Sequence, residues 1–136
     1  MSHLLILEDD VELSLQWARS LETHDYTVLV AHGATDALQV IAEHAVNVCI
    51  VDLLVRPDDV NASDGGLVFL GRIEPAERQR LKIIGVSGSY AGSAGPQGFH
   101  GVDAEKLLKT FGADMFLPKP FFDTELVTAV QTILAE

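Results

Sequence analysis

Residues 46–52 read Val-Asn-Val-Cys-Ile-Val-Asp, a nearly continuous apolar run that ends on an acid. A short run rich in β-branched residues is typical of a strand that is buried on both faces of a parallel sheet. Four similar runs occur along the chain, and segments with helical spacing separate them. This alternation predicts an α/β fold with a parallel sheet and crossover helices. The predicted strands are residues 4–7, 26–30, 46–51, 82–86 and 113–117.

The predicted helices rest on apolar residues that recur at steps of three and four, the spacing of one helix face. Pro75 is expected to stop or kink the helix that begins near Gly66. Trp17 is interpreted as a core residue and not as a ligand platform. Residues 54–66 and 88–101 break the alternation and predict long loops. The residues of the predicted faces are Leu13, Trp17 and Leu21; Ala34, Ala37, Leu38, Ile41, Ala42 and Ala45; Leu67, Leu70 and Ile73; Ala104, Leu107, Leu108 and Phe111; and Leu126, Val130, Ile133 and Leu134.

Length and composition limit the classes of function. At 136 residues we expect a single domain over residues 1–136, without an output domain. The formal charge of −11 repels phosphates, so direct binding of nucleic acid or of a membrane is not expected. The lone Cys49 supports neither a disulfide framework nor a zinc site, and the five histidines show no paired metal spacing. With no signal peptide or spanning segment in the sequence, a cytoplasmic protein is expected.

Polar and charged residues stand where the predicted strands end. Glu8 and Asp9 follow the first strand, Asp52 the third, Ser87 the fourth and Lys119 the fifth. Because parallel strands point in one direction, their carboxyl ends meet at one edge of the sheet, where α/β proteins bind ligands. We therefore expect three carboxylates, a hydroxyl and an ammonium to form one site.

A cluster of this composition favours phosphoryl chemistry with a metal. Neighbouring carboxylates raise one another's pKa unless a cation compensates their charge. Mg²⁺ binds oxygen ligands and needs only one or two carboxylates beside water and a phosphoryl oxygen. Asp52 would then attack a phosphoryl donor and become an aspartyl phosphate, with Lys119 and Ser87 as partners of its oxygens.

Each of these residues also has a simpler interpretation. The acids at residues 8–10 can start a helix, where carboxylates satisfy free amides, and we adopt that interpretation for Asp10. Asp52 and Ser87 can be turn residues that end a strand. Lys119 can be a solvated surface lysine.

Four motifs at these strand ends together resemble the receiver domain of bacterial response regulators. They are Leu-Leu-Ile-Leu-Glu-Asp-Asp at residues 4–10, Val-Cys-Ile-Val-Asp-Leu-Leu at 48–54, Ile-Ile-Gly-Val-Ser-Gly at 83–88 and Phe-Leu-Pro-Lys-Pro-Phe at 116–121. The resemblance covers essentially the whole chain. It implies a flavodoxin-like, doubly wound parallel sheet of five strands in the order 2-1-3-4-5, with helices on both faces.

The resemblance also implies a role for each matching residue. Phe116 matches the aromatic residue that moves together with Ser87 in the switch, although its position equally suits the core of a strand. The phosphoacceptor would be Asp52, the partners of its phosphoryl group Ser87 and Lys119, and the Mg²⁺ ligands Glu8, Asp9, Asp52 and the backbone carbonyl of Leu54.

The chain departs from the family's pattern at two spacings. The candidate glycine, Gly65, lies thirteen residues after Asp52, and Lys119 lies 32 residues after Ser87. Both spacings are longer than the family's usual ones. The resemblance therefore implies enlarged loops at residues 54–66 and 88–101, after the third and fourth strands.

As a receiver, the chain would take a phosphoryl group from a sensor histidine kinase or a histidine phosphotransfer protein and switch its binding to a downstream protein. It would turn over no external substrate, and homodimerisation stays open. One alternative is a Mg²⁺-dependent phosphohydrolase with an aspartyl nucleophile, which usually has a second Asp where this chain has Leu54. Another is a pseudo-receiver that binds partners without phosphorylation. A nucleotide or flavin module ranks third, because acids after the first strand repel phosphate.

Overall fold

The computed structural model describes residues 2–52, 65–87 and 112–135, with the side chains of Leu67 and Ser87 left out. Strands and helices alternate along this part of the chain. The strands are β1 (His3–Leu7), β2 (Thr27–Ala31), β3 (Val48–Asp52), β4 (Lys82–Ser87) and β5 (Met115–Pro118). The helices in these ranges are α1 (Val11–Glu22), α2 (Ala34–Glu43), α3 (Gly66–Arg72), α4 (Pro75–Arg80) and α5 (Asp123–Leu134).

All five strands form one parallel sheet in the order β2-β1-β3-β4-β5, so the predicted fold class and strand order are confirmed. Leu5 of β1 lies between Leu29 of β2 and Cys49 of β3. The chain leaves β1 towards β2 and later returns to β3 on the other side of β1. Such a reversal opens a crevice at the carboxyl ends of the two central strands, and ligands of open α/β sheets bind there.

The core has two layers, one on each face of the sheet. Successive side chains of a strand point to opposite faces, so Leu5 and Leu7 pack towards α2 and α3, whereas Leu4 and Ile6 pack towards α1 and α5. Burying one such side chain stabilises the fold by about 1.5–3 kcal/mol. In the described part of the chain, no helix is both long and apolar enough to cross a membrane.

One helix prediction needs correction, and one helix was not predicted. Helix α2 ends at Glu43, so Ala45 lies beyond it, and Ala42 is exposed because the buried stripe runs through Ala34, Ala37 and Ile41. The helix that begins at Gly66 ends at Arg72, before Pro75 as predicted, but Pro75 is also the first residue of a further helix, α4, which was not predicted. Proline suits that position because the first amides of a helix have no partner inside it. The helix predicted around residues 104–111 lies outside the described residues.

The close packing of helix α3 on the sheet depends on one glycine at the start of the helix. A Cβ atom on Gly66 would lie 2.7 Å from Val51 Cγ1 and 2.9 Å from the carbonyl carbon of Asp52. The structure therefore requires a glycine at Gly66, the residue after the candidate Gly65, which is the N-cap residue of α3. This close approach seats α3 directly against the end of β3.

We predict that Gly66→Ala lowers the unfolding free energy by about 1–3 kcal/mol, because the added methyl group overlaps backbone that cannot move aside cheaply. Urea denaturation followed by circular dichroism measures the loss. Gly71→Ala is the matched control, since a Cβ there meets nothing within 4 Å and alanine favours the helix. Equal stability changes in the two variants would contradict the close packing at Gly66.

Candidate functional site

The carboxyl ends of β1 and β3 bring three acids together. Glu8 and Asp9 follow β1, and Asp52 is the last residue of β3, the neighbouring strand. One ligand oxygen from each of the three lies within 4.8 Å of the others. Glu8 is almost completely buried, the Asp52 side chain is 9% exposed, and Asp9 is exposed. Asp9 therefore forms the open side of the cluster.

Lys119 reaches this cluster from the far side of β4. It follows β5, and its Nζ donates hydrogen bonds to Glu8 Oε1 at 2.8 Å and to Asp52 Oδ2 at 3.2 Å. The side chain is only 17% exposed. Pro118 and Pro120 restrict the backbone on both sides of Lys119, which limits where its side chain can point. The simple interpretation of Lys119 as a solvated lysine is wrong.

The charges of the cluster shift the pKa values of its members. Burial, and then the charge of Asp52, raise the pKa of Glu8, while Lys119 and Asp9 act in the opposite direction. Burial lowers the pKa of the Lys119 ammonium, but Asp52 and Glu8 outweigh that effect, and the net change is upward. The site thus favours added positive charge, because one ammonium faces three carboxyl groups.

Hydrogen bonds hold both carboxylate oxygens of Glu8 and its backbone in place. Lys119 binds Oε1, and the backbone amide of Asp10 donates to Oε2 at 3.1 Å. The amide of Glu8 donates to the carbonyl of Ala31 at 3.1 Å, and His32 Nδ1 donates to the Glu8 carbonyl at 2.9 Å. The sequence predicts no role for His32, because no spacing rule relates it to residue 8.

Asp10 does what its simple interpretation predicts. Its Oδ1 accepts a hydrogen bond from the amide of Leu13 at 3.1 Å, which caps α1. Capping satisfies an amide that has no partner inside the helix. The start of α1 is thereby fixed immediately beside Glu8 and Asp9.

One aromatic ring lies next to the Lys119 ammonium, and a second ring stacks on the first. The Lys119 Nζ is 5.5 Å from the centroid of the Trp17 ring, and the Trp17 ring stacks on Phe121 with centroids 5.3 Å apart. The interpretation of Trp17 as a core residue is correct, since the side chain is buried between α1 and the sheet. Its contact with Lys119 was missed, because helix periodicity identifies an inward face but not what that face meets.

The structure describes the three other predicted site residues to different extents. Ser87 ends β4 opposite Pro118, but its side chain is not described. Leu54 lies outside the described residues, as do both predicted loops except residues 65 and 66. Phe116 is partly buried in β5 and packs against the core layer on the α2 and α3 side. That packing agrees with its interpretation as a strand residue, and its switch role stays a prediction.

The donor set of the cluster fits a hard divalent cation. All three side chains offer carboxylate oxygens, and this cluster includes neither a thiolate nor an imidazole. Oxygen-only sites are typical of Mg²⁺ or Ca²⁺, while zinc sites usually include sulfur or nitrogen.

Comparison with known proteins identifies similarity to response regulators. Residues 4–131 match the family model of the response regulator receiver domain. The transcriptional regulatory protein CpxR of Klebsiella pneumoniae is 26% identical over 135 residues, which are 98% of this chain and 50% of that protein. The chain thus spans about half the length of the curated relatives it matches.

Two solved structures share the fold. The receiver domain of the Francisella response regulator 1452 has a TM-score of 0.77 at 18% identity, covering 99% of this chain and 98% of that one. A CheY-like response regulator receiver domain protein from Methanospirillum hungatei JF-1 has a TM-score of 0.75 at 23% identity, covering 99% and 94%. At such identities the likeness supports the fold alone.

We predict that Lys119→Met lowers the unfolding free energy at pH 7 without metal by roughly 1–3 kcal/mol, because two largely buried carboxylates lose their cation. The loss should shrink as the pH falls towards the ordinary Glu8 pKa of 4.5. Lys119 lowers the pKa of Glu8, so removing Lys119 raises that pKa further in the folded variant. The folded variant therefore holds the Glu8 proton more tightly than folded wild type does, and acid stabilises the variant relative to wild type.

Urea denaturation at a series of pH values with a chelator present measures this difference. Lys82→Met, at the opposite end of the sheet, is the control for losing one positive charge. A deficit that is absent, or that stays constant with pH, would contradict the role of Lys119 as the counter-ion.

Proposed function

The chain belongs to the response regulator receiver domain family, and from that premise we propose that it accepts a phosphoryl group on Asp52 in a two-component phosphorelay. The observation that carries this proposal is the bridge from Lys119 to both Glu8 and Asp52 at the carboxyl edge of the sheet. A surface acid would not have a buried lysine as its partner. The ammonium thereby orients the Asp52 carboxylate, which is the nucleophile of the proposed transfer.

Glu8, Asp9 and Asp52 would hold the metal ion, with the Leu54 carbonyl as a further ligand, and we propose that this ion is Mg²⁺. When bound, Mg²⁺ supplies positive charge that offsets the charge of the phosphoryl oxygens. The exposed Asp9 gives the ion its route of entry from solvent. The buried Glu8 already accepts a hydrogen bond from Lys119. We propose that Glu8 both holds this lysine in place and binds the ion.

In the transfer step, an Asp52 carboxylate oxygen forms a bond to phosphorus while the bond from phosphorus to the histidine nitrogen of the donor breaks. Lys119, 3.2 Å from Asp52 Oδ2, is close enough to pair with the oxygens of the incoming group. Pairing with a dianion competes with its bond to Glu8. Phosphorylation therefore changes the partners of a largely buried cation, which is a local change that the fold can transmit.

We propose that the signal passes through β4 and β5. The phosphoryl group would attract the Ser87 hydroxyl at the end of β4, and Phe116 on the neighbouring β5 would turn into the space released. Gly85 pairs with Phe116 in the sheet and places no side chain beside it. The equilibrium shifts only as far as the phosphoryl group interacts differently with the two states, so a fraction of active molecules exists without phosphate.

The phosphodonor protein would dock on the exposed apolar residues next to the site. Val11 and Leu15 of α1 are 51% and 43% exposed, and Phe122 is 78% exposed. Asp123 accepts hydrogen bonds from Ser20 Oγ at 2.6 Å and from Gln16 Nε2 at 3.1 Å, which holds the segment after Phe122 against α1. We define Val11, Leu15 and Phe122 as the docking patch. Since Val11 is two residues from Asp9, a phosphohistidine on a helix bound there would reach the site.

We predict that wild-type protein incubated with Mg²⁺ and a small phosphodonor gains the mass of one phosphoryl group, and that Asp52→Asn gains none, because an amide is not a nucleophile for this transfer. Intact-mass spectrometry measures the adduct. Asp36→Asn, an exposed acid of α2, is the matched control and should label like wild type.

Equal labelling of wild type and Asp52→Asn would reject Asp52 as the acceptor. Steady release of inorganic phosphate from ordinary phosphate esters, with turnover, would favour the phosphohydrolase instead.

We predict that Leu15→Asp slows phosphoryl transfer from a histidine kinase by about tenfold or more, because a charge replaces an apolar contact in a buried interface. The kinase used is the one that phosphorylates the wild-type protein fastest. Transfer from the small phosphodonor should be unchanged. Gln39→Asp, which adds the same charge to an exposed position of α2, is the control. Equal slowing with both donors would show that Leu15 affects the site and not docking.

A further inference from the structure

We propose that Trp17 is a positioning residue for Lys119, whose ring holds the ammonium between Glu8 and Asp52. This inference rests on the proposed function insofar as Lys119 acts on the phosphoryl group. The distance of 5.5 Å from Nζ to the ring centroid is within the range of a cation–π interaction. An ammonium has three donors, and the carboxylates of Glu8 and Asp52 engage two of them. The aromatic ring contacts the same group from the side of α1.

Trp17 can do this because its own position is fixed. The side chain is buried in the core layer on the α1 and α5 side of the sheet, which also includes Ala18 and Leu21. Its ring stacks on Phe121 at an interplanar angle of 27°. Phe121 is two residues after Lys119, so Trp17 contacts this segment twice, once at the ammonium and once at the ring of Phe121. Helix α1 therefore sets where the Lys119 segment lies.

A flexible side chain needs such a constraint. Lysine carries a compact charge on a four-carbon stem with many rotamers, so two carboxylates alone define its position loosely. An apolar aromatic wall also keeps water from one side of the ammonium, which strengthens its attraction to Glu8 and Asp52. Trp17 would thus act on the chemistry of Asp52 through Lys119 and not by touching the phosphoryl group.

The first test measures labelling of Asp52 by a small phosphodonor at saturating Mg²⁺. Trp17→Leu should slow labelling about three- to tenfold, the range expected for loss of a partly desolvated cation–π contact. Trp17→Phe, which keeps a π face, should recover most of the rate. Leu21→Ala creates a cavity in the same core layer but removes no π face, and it should label at the wild-type rate although it lowers the melting temperature.

The decisive comparison repeats Trp17→Leu in a Lys119→Met background. If Trp17 acts through Lys119, Trp17→Leu does not slow labelling further in a protein that already carries Lys119→Met, since the two residues are coupled. The same three- to tenfold slowing in both backgrounds, or in Leu21→Ala, would overturn the proposal and leave Trp17 as an ordinary core residue.

A second readout needs neither metal nor phosphoryl transfer. Trp17 is the single tryptophan of the chain, so its fluorescence reports on this one ring. With a chelator present, Lys119→Met should shift the emission maximum relative to wild type, whereas Lys82→Met should not. Identical spectra for wild type and Lys119→Met would overturn the contact. A spectral shift together with no labelling of wild type would instead support the contact and reject the proposed function.

Discussion

The repulsion among three carboxylates at one edge of the sheet is the constraint on which the site depends. Glu8, Asp9 and Asp52 lie together because β1 and β3 are neighbours and both end there. Such a cluster is stable only with a cation, and in this structure the Lys119 ammonium supplies one positive charge. Carboxylate oxygens are the ligands of hard divalent ions, so the cluster fits such an ion, and we propose that an exchange of partners at Lys119 couples its loading to the rest of the fold.

The surrounding fold keeps this electrostatic arrangement in place. Gly66 lets α3 approach the last residues of β3, and Asp10 caps α1 beside the acids that follow β1. Trp17 connects α1 to the Lys119 segment through two contacts. The start of α1, the start of α3 and the Lys119 segment are far apart in the sequence, and these contacts bring them together at the site.

The sequence predicted what depends on strand ends and periodicity, and it missed what depends on tertiary approach. Acids after β1 and β3 had to converge once the strands were parallel, so the gathering of Glu8, Asp9 and Asp52 followed from order along the chain. Periodicity could not show that Gly66, one residue beyond the candidate, touches Asp52. It also could not show that Pro75 begins a new helix, since a proline that stops one helix equally suits the first turn of the next.

The most direct test of this account is a crystal structure of the protein grown with Mg²⁺ and beryllium fluoride, a stable mimic of a phosphoryl group. We predict the beryllium fluoride on a carboxylate oxygen of Asp52, the metal ion bound at the cluster of Glu8, Asp9 and Asp52, and the Lys119 ammonium moved towards the fluorides. An unmodified Asp52, or a metal ion bound only elsewhere on the molecule, would contradict it.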